Sequence, residues 1–130
     1  MKTRTALAAL TLTALALPLA AVAPASASHG GGNAVRTHGG CGGPAVWKLK
    51  AKPDDGRIEV EGEIDSNVSG QVWTWKFKHN GSVSARGTKK TGGRSGSFEV
   101  ERRMANLSGK DHFVFRAEHR NQVCRGTISY

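Results

Sequence analysis

The chain has 130 residues, with 19 lysines and arginines against 10 acidic residues, a formal net charge of +9 and only two cysteines. That length predicts one small domain. The cysteine and histidine spacings exclude a structural metal site, and the positive charge favours anionic partners without dictating a fold.

The first element is a leader. Lys2 and Arg4 precede an uncharged apolar run, Ala6 to Ala23, which is interrupted by Pro18 and followed by Pro24 and Ala25-Ser26-Ala27. A basic start, an apolar middle and small residues at the cleavage positions predict a secretory signal peptide over residues 1–27. No cysteine follows the run closely, so a lipid anchor is not expected. No Arg-Arg pair precedes it, so the general export route is expected. The destination is extracellular. In an exported chain, Cys41 and Cys124 predict one disulfide. Closing so long a loop contributes about 4–5 kcal/mol by chain entropy. That is large beside the roughly 5–10 kcal/mol that holds a small domain together.

Residues 28–43 read SHGGGNAVRTHGGCGG, with seven glycines, and are expected to form a flexible tail that buries little. From residue 44 to 130 the hydrophobic period is two, the mark of half-buried strands. PAVWKLKAK puts Trp47, Leu49 and Ala51 on one face and Lys48, Lys50 and Lys52 on the other. Pro53-Asp54-Asp55-Gly56 has turn chemistry. RIEVEGEID follows, with Glu59, Glu61, Glu63 and Asp65 on its outer side. A four-residue turn would set Lys50 opposite Glu59 and Lys48 opposite Glu61.

The third strand, QVWTWKFK, alternates Trp73, Trp75 and Phe77 with Thr74, Lys76 and Lys78. A domain this small cannot leave two tryptophans outside, since burying each aromatic side chain is worth roughly 2–3 kcal/mol. The Trp-Trp-Phe side is therefore expected in the core. If register is set by the buried face, a three-residue loop, His79-Asn80-Gly81, pairs Phe77 with Val83 and Trp75 with Ala85. Then come SVSARGT, the basic loop KKTGGRSG, SFEVERRM, HFVFRAEH and VCRGTISY. Arg102 would fall on the inner side of the fifth strand, which predicts a bulge or strand end there.

Seven alternating strands at intervals of about ten residues predict an all-β, antiparallel sandwich. MANLSGKDHFVFRAEH, with tryptophan on the third strand, resembles immunoglobulin-like and fibronectin type III-like domains. That resemblance implies a division with strands three, four, six and seven in one sheet. The cysteine pair departs from the antibody pattern, joining the N-terminal segment to the last strand. Signal peptide included, the chain also resembles small secreted actinobacterial proteins with no assigned function.

Chemistry-bearing patterns are few. Glu59, Glu61, Glu63 and Asp65 have the spacing of glycosidic acid/base pairs. They face lysines on an open strand, which is an ion-paired surface and no place to desolvate an acid. No nucleophile elbow is present, so no catalytic residue, enzyme activity or cofactor is expected. Ser28-His29 with His38 and Cys41 makes no ligand set for a metal. Asn67-Val-Ser69, Asn80-Gly-Ser82 and Asn106-Leu-Ser108 read as turn chemistry.

What remains is charge distribution. The outer side of the sheet built from strands three, four, six and seven would carry Lys76, Lys78, Arg86, Arg116 and Arg125 against Glu118. Lys89, Lys90 and Arg94 would border it from the loop. The opposite sheet mixes Lys48, Lys50, Lys52, Arg57 and Arg103 with six carboxylates. The reading is a secreted, non-enzymatic binding domain whose basic face (Lys76, Lys78, Arg86, Lys89, Lys90, Arg116, Arg125) contacts an extracellular polyanion. Its rivals are a carbohydrate- or protein-binding module with exposed aromatics, and a domain with no ligand on this face.

Overall fold

The computed structural model describes residues 33–130, so the expected leader at residues 1–27 lies outside the described residues. Eight strands follow in order: β1 (Val35–Gly40), β2 (Val46–Asp54), β3 (Arg57–Asp65), β4 (Val72–His79), β5 (Ser82–Lys90), β6 (Ser97–Ala105), β7 (His112–His119) and β8 (Gln122–Ser129). All pairings are antiparallel, in two sheets of order β1-β2-β3-β6 and β5-β4-β7-β8. The sandwich expected from the sequence is present. Its second sheet holds the four strands assigned to it, and there is one strand more than the seven counted.

The alternation explains the core. Trp47, Leu49, Ile58, Val60, Ile64, Trp73, Trp75, Phe77, Phe98, Val100, Phe113 and Phe115 are all buried between the sheets. Cys41 and Cys124 form the disulfide, linking the segment after β1 to β8 across the sandwich.

The additional strand is β1, and it corrects the flexible-tail expectation for residues 35–40. It pairs with β2 from Val35 opposite Ala51 to Gly40 opposite Val46. Glycine content suggested slack, but here glycine makes room. A Cβ on Gly39 would lie 2.8 Å from the Trp47 ring, and one on Gly126, across the sandwich, 2.4 Å from it. Trp47 thus fits between two positions without side chains.

The turns are tighter than expected. Asp55 and Gly56 both have positive φ, 46° and 75°, and form a two-residue turn with Asp54 opposite Arg57. The ladder therefore advances by one carboxylate: Lys50 meets Glu61, and Lys48 meets Glu63 at 3.1 Å. Likewise Asn80 (φ 47°) and Gly81 (φ 88°) form a two-residue turn, which replaces the expected three-residue loop. His79 faces Ser82 and Lys78 faces Val83, but the register then shifts, so that Phe77 faces Ala85. A bulge after the turn restores the burial that the longer loop was invoked to provide. Val83, expected inside, is exposed. Asn80 is also tied to β7: its N–H donates to the His112 carbonyl and its Oδ1 accepts from the His112 N–H, both at 2.8 Å.

Arg102 needs no bulge. The β3–β6 ladder runs unbroken, with Val60 opposite Arg102. The side chain stays on the inner side at the open margin of the sandwich, with its guanidinium carbon 4.9 Å from the centre of the Trp75 ring.

The corner before β7 is held by Asp111. It is fully buried, pairs with His79 Nε2 and accepts from the Leu107 N–H at 3.2 Å. His79 stacks on Phe113 with centroids 4.6 Å apart. Leu107, part of the stretch that carries the immunoglobulin-like resemblance, is exposed.

Three substitutions test this packing. Gly126→Ala forces the Trp47 ring to move and is expected to cost about 1–3 kcal/mol in denaturant melts. Gly40→Ala, with open space around it, is expected to change stability by less than about 0.5 kcal/mol. Asp111→Ala leaves His79 and the Leu107 amide without their buried partner, and is expected to cost about 3 kcal/mol in the same assay.

Candidate anion-binding face

The outer side of β4 presents Thr74, Lys76 and Lys78 because the inner side is committed to Trp73, Trp75 and Phe77. Register then decides their neighbours. Lys76 lies opposite Arg86 on β5 and opposite Arg116 on β7, and Arg116 lies opposite Arg125 on β8. Arg86, Lys76, Arg116 and Arg125 therefore form one row across all four strands of the sheet. At the usual strand spacing the row is about 14 Å long. Like charges directly opposite one another destabilise a sheet.

The bulge creates this row. Continuing the ladder from the Asn80-Gly81 turn without it would have set Arg86 against Trp75, on the inner side. With it, Arg86 joins Lys76 and Gly87 faces Trp75. A hollow of about 520 Å³ opens over the row, lined by Thr74, Lys76, Arg86, Thr88, Arg116 and Glu118, with Trp75 and Gly87 at its β5 side. A second, about 270 Å³, is bordered by Lys76, Lys78, His112, Arg116 and Arg125.

Neutralisation on this face is slight. Arg116 contacts Glu118 at 2.5 Å. Among the described residues, Lys76, Lys78, Arg86 and Arg125 have no carboxylate within ion-pair distance. The other sheet contrasts sharply: Lys48, Lys50 and Lys52 pair with Glu63, Glu61 and Glu59, and Arg103 with Asp54.

Of the seven residues expected on the basic face, Lys76, Lys78, Arg86, Arg116 and Arg125 share it. Lys90 joins them opposite Val72. Lys89 does not. It lies opposite Trp73, on the core-ward side of β5, and both lysines belong to the strand and not to a loop. Thr74 and Thr88, which face each other beside the row, were not singled out from sequence. Alternation puts both on the outer side, but setting them opposite each other requires the bulge, which periodicity does not announce.

The carboxylates of β3 gather on the other side of the molecule. Glu61 lies opposite Glu101 and Glu63 opposite Glu99, and oxygens of Glu59, Glu61 and Glu101 come within 4.8 Å of one another. Partial desolvation, and then the charges of Glu61 and Glu63, raise the Glu99 carboxyl above its ordinary value. The hydrogen bond and charge of Glu59 raise Lys52. Cys41 is in the disulfide and cannot serve as a metal ligand, and His38 lies opposite Lys48 on the sheet surface.

No protein-family model matches the chain, and neither the curated proteins nor the solved structures show significant similarity to it.

Glu99 provides a pH test. Its folded-state value lies above that of the unfolded chain, so its ionised form opposes folding. The penalty is complete above the folded value and is relieved as pH falls through it. Glu99→Gln is therefore expected to stabilise at pH 7 by about 0.5 kcal/mol, the scale of a cross-strand like-charge contact. In thermal melts the gain should fade below about pH 4, where the carboxyl is protonated in both states.

Proposed function

We propose that this is an exported, non-enzymatic binding domain that holds extracellular anionic polymer on the outer face of the β5-β4-β7-β8 sheet. The observation that carries the reading is the transverse row Arg86, Lys76, Arg116 and Arg125, with one carboxylate to neutralise it. A cationic surface that served only solubility would not need its charges directly opposed. On the other sheet each lysine of β2 meets a glutamate, and the like-charge pairs Glu61–Glu101 and Glu63–Glu99 each include a glutamate that a lysine neutralises. The row has a stability cost that a bound polyanion would remove.

Recognition would rest on charge-assisted hydrogen bonds from guanidinium and ammonium groups to the polymer's oxyanions, and on release of its counterions. The leader pattern of residues 1–27 and the Cys41–Cys124 bond support an extracellular setting. The rival aromatic platform has no support among the described residues. Trp73 is 0% and Trp75 5% exposed, and the outer face of this sheet carries no Trp, Tyr or Phe.

Heparin-resin chromatography tests the proposal. Affinity is expected to fall with salt with a logarithmic slope of about −3, as for four phosphate-like contacts. Replacing Lys76, Lys78, Arg86 and Arg116 with Ser is expected to abolish retention, and unchanged retention would overturn the reading. Lys76→Gln should raise the melting temperature at low salt while weakening retention, because it relieves two like-charge contacts at once.

A further inference from the structure

The row ends at β5, but the positive surface does not. Gly87 follows Arg86 and lies opposite Trp75. A Cβ on Gly87 would sit 3.0–3.3 Å from Trp75 Cζ2, Cε2 and Nε1, so the indole lies flush against this edge strand. Arg102 of β6, from the other sheet, covers the same ring. One indole is thus flanked by an edge glycine continuous with the cationic row and by an exposed arginine beyond it. Lys89 lies on the same side of β5 as Gly87, two residues along.

The indole carries a second signal. Trp75 Nε1 is buried and has no hydrogen-bond partner among the described residues. Buried donors nearly always have a partner, so an orphan at the margin of a sandwich calls for an explanation. Trp73 shows the ordinary solution, its Nε1 donating to Gln71 Oε1 at 3.3 Å. Arg102 meanwhile donates from Nη1 to the Glu101 carbonyl, 2.7 Å away, while lying over the Trp75 ring.

We propose that the bound polyanion runs perpendicular to the strands, crosses the β5 edge at Gly87 and ends on Arg102, where an oxyanion of the polymer also accepts from Trp75 Nε1–H. The inference rests on the polyanion reading above and specifies the polymer's direction and extent. Gly87 allows the crossing because it has no side chain there. Arg102 turns from the ring to the polymer, and the indole N–H gains the partner it lacks. The path links five cations, Arg125, Arg116, Lys76, Arg86 and Arg102. With the row's length added to the separation of the sheets, it measures about 24 Å. Four of the five are arginines, whose planar forks suit phosphate, sulfate or carboxylate groups. Trp75, the indole that borders the larger hollow, is buried and offers no open ring face to stack on a base, which favours a ringless phosphate polymer or an acidic polysaccharide over single-stranded nucleic acid.

The test follows tryptophan emission of the disulfide-bonded protein during titration with heparin oligosaccharides of graded length, polyphosphate, polygalacturonate and mixed-sequence single-stranded DNA. The four probes separate sulfate, phosphate, carboxylate and nucleic acid sources. At least one of the first three is expected to alter the emission, with affinity rising with length until the oligomer reaches about 24 Å. Arg102→Ser should abolish most of the emission change and lower the salt slope by about one ion. Arg102→Lys should keep the slope, because the charge remains. If Lys76→Ser weakens binding while Arg102→Ser alters neither slope nor emission change, the crossing is refuted and the face reading stands. If no probe binds, both fall. Tighter binding to single-stranded DNA than to the other probes at equal charge overturns the choice of polymer.

Discussion

The burial of one side of β4 is the constraint from which the rest of the molecule follows. Trp73, Trp75 and Phe77 cannot be left in water by a domain this small. Asn80-Gly81 imposes its own demand, because a two-residue turn with two positive φ angles fixes the pairing of His79 with Ser82. Carried onward unchanged, that pairing would seat Arg86 against Trp75. The bulge beside Phe77 and Lys78 reconciles turn and core. It puts Ala85 and Gly87, the smallest available residues, beside the largest rings, and sends Arg86 to the opposite surface. A packing problem inside the sandwich thereby organises the charge outside it.

The two outer faces then diverge. On the β1-β2-β3-β6 sheet, lysines of β2 meet glutamates of β3, and the remaining carboxylates crowd against β6. That surface largely satisfies itself. On the β5-β4-β7-β8 sheet the register places cation beside cation, and Glu118 is the one carboxylate that answers. Exposed ion pairs contribute little to stability, so the difference says little about folding strength. It bears on what each surface can still bind.

Much of the fold was legible because alternation is a local signal. Trp47 with Leu49, Trp73 with Trp75 and Phe113 with Phe115 each declare an inner side without reference to the rest of the chain. Turn length was less legible. Pro53 and Asp54 look like turn residues, yet they sit in β2 while Asp55 and Gly56 alone make the turn. The strand β1 was illegible because Gly39 is explained only by Trp47, a ring supplied from elsewhere. Asp111 was missed for a similar reason: its role needs His79, which lies 32 residues away in sequence. The candidate site was half readable. Alternation assigned Lys76, Lys78, Arg116 and Arg125 to one face, but their alignment with Arg86 depends on a bulge, and Lys89 on the strand end beyond it was misplaced. Arg102 was noticed as an anomaly and given the wrong remedy. A long side chain at a margin can lie over an aromatic ring without disturbing its backbone.

The disulfide has a mechanical meaning beyond its entropy. It joins Cys41 to Cys124 across 83 positions of sequence. A pull applied between residue 40 and residue 125 travels through two sulfur atoms, and the strands from β2 to β7 carry none of it. Only β1 and the end of β8 can be peeled away. If polymer were gripped on the face while the N-terminal segment was held, the load would enter through β4, β5, β7 and β8. It would reach the N-terminal segment partly through the covalent clasp at Cys124, so a noncovalent sandwich could sustain tension that its hydrogen bonds alone would not.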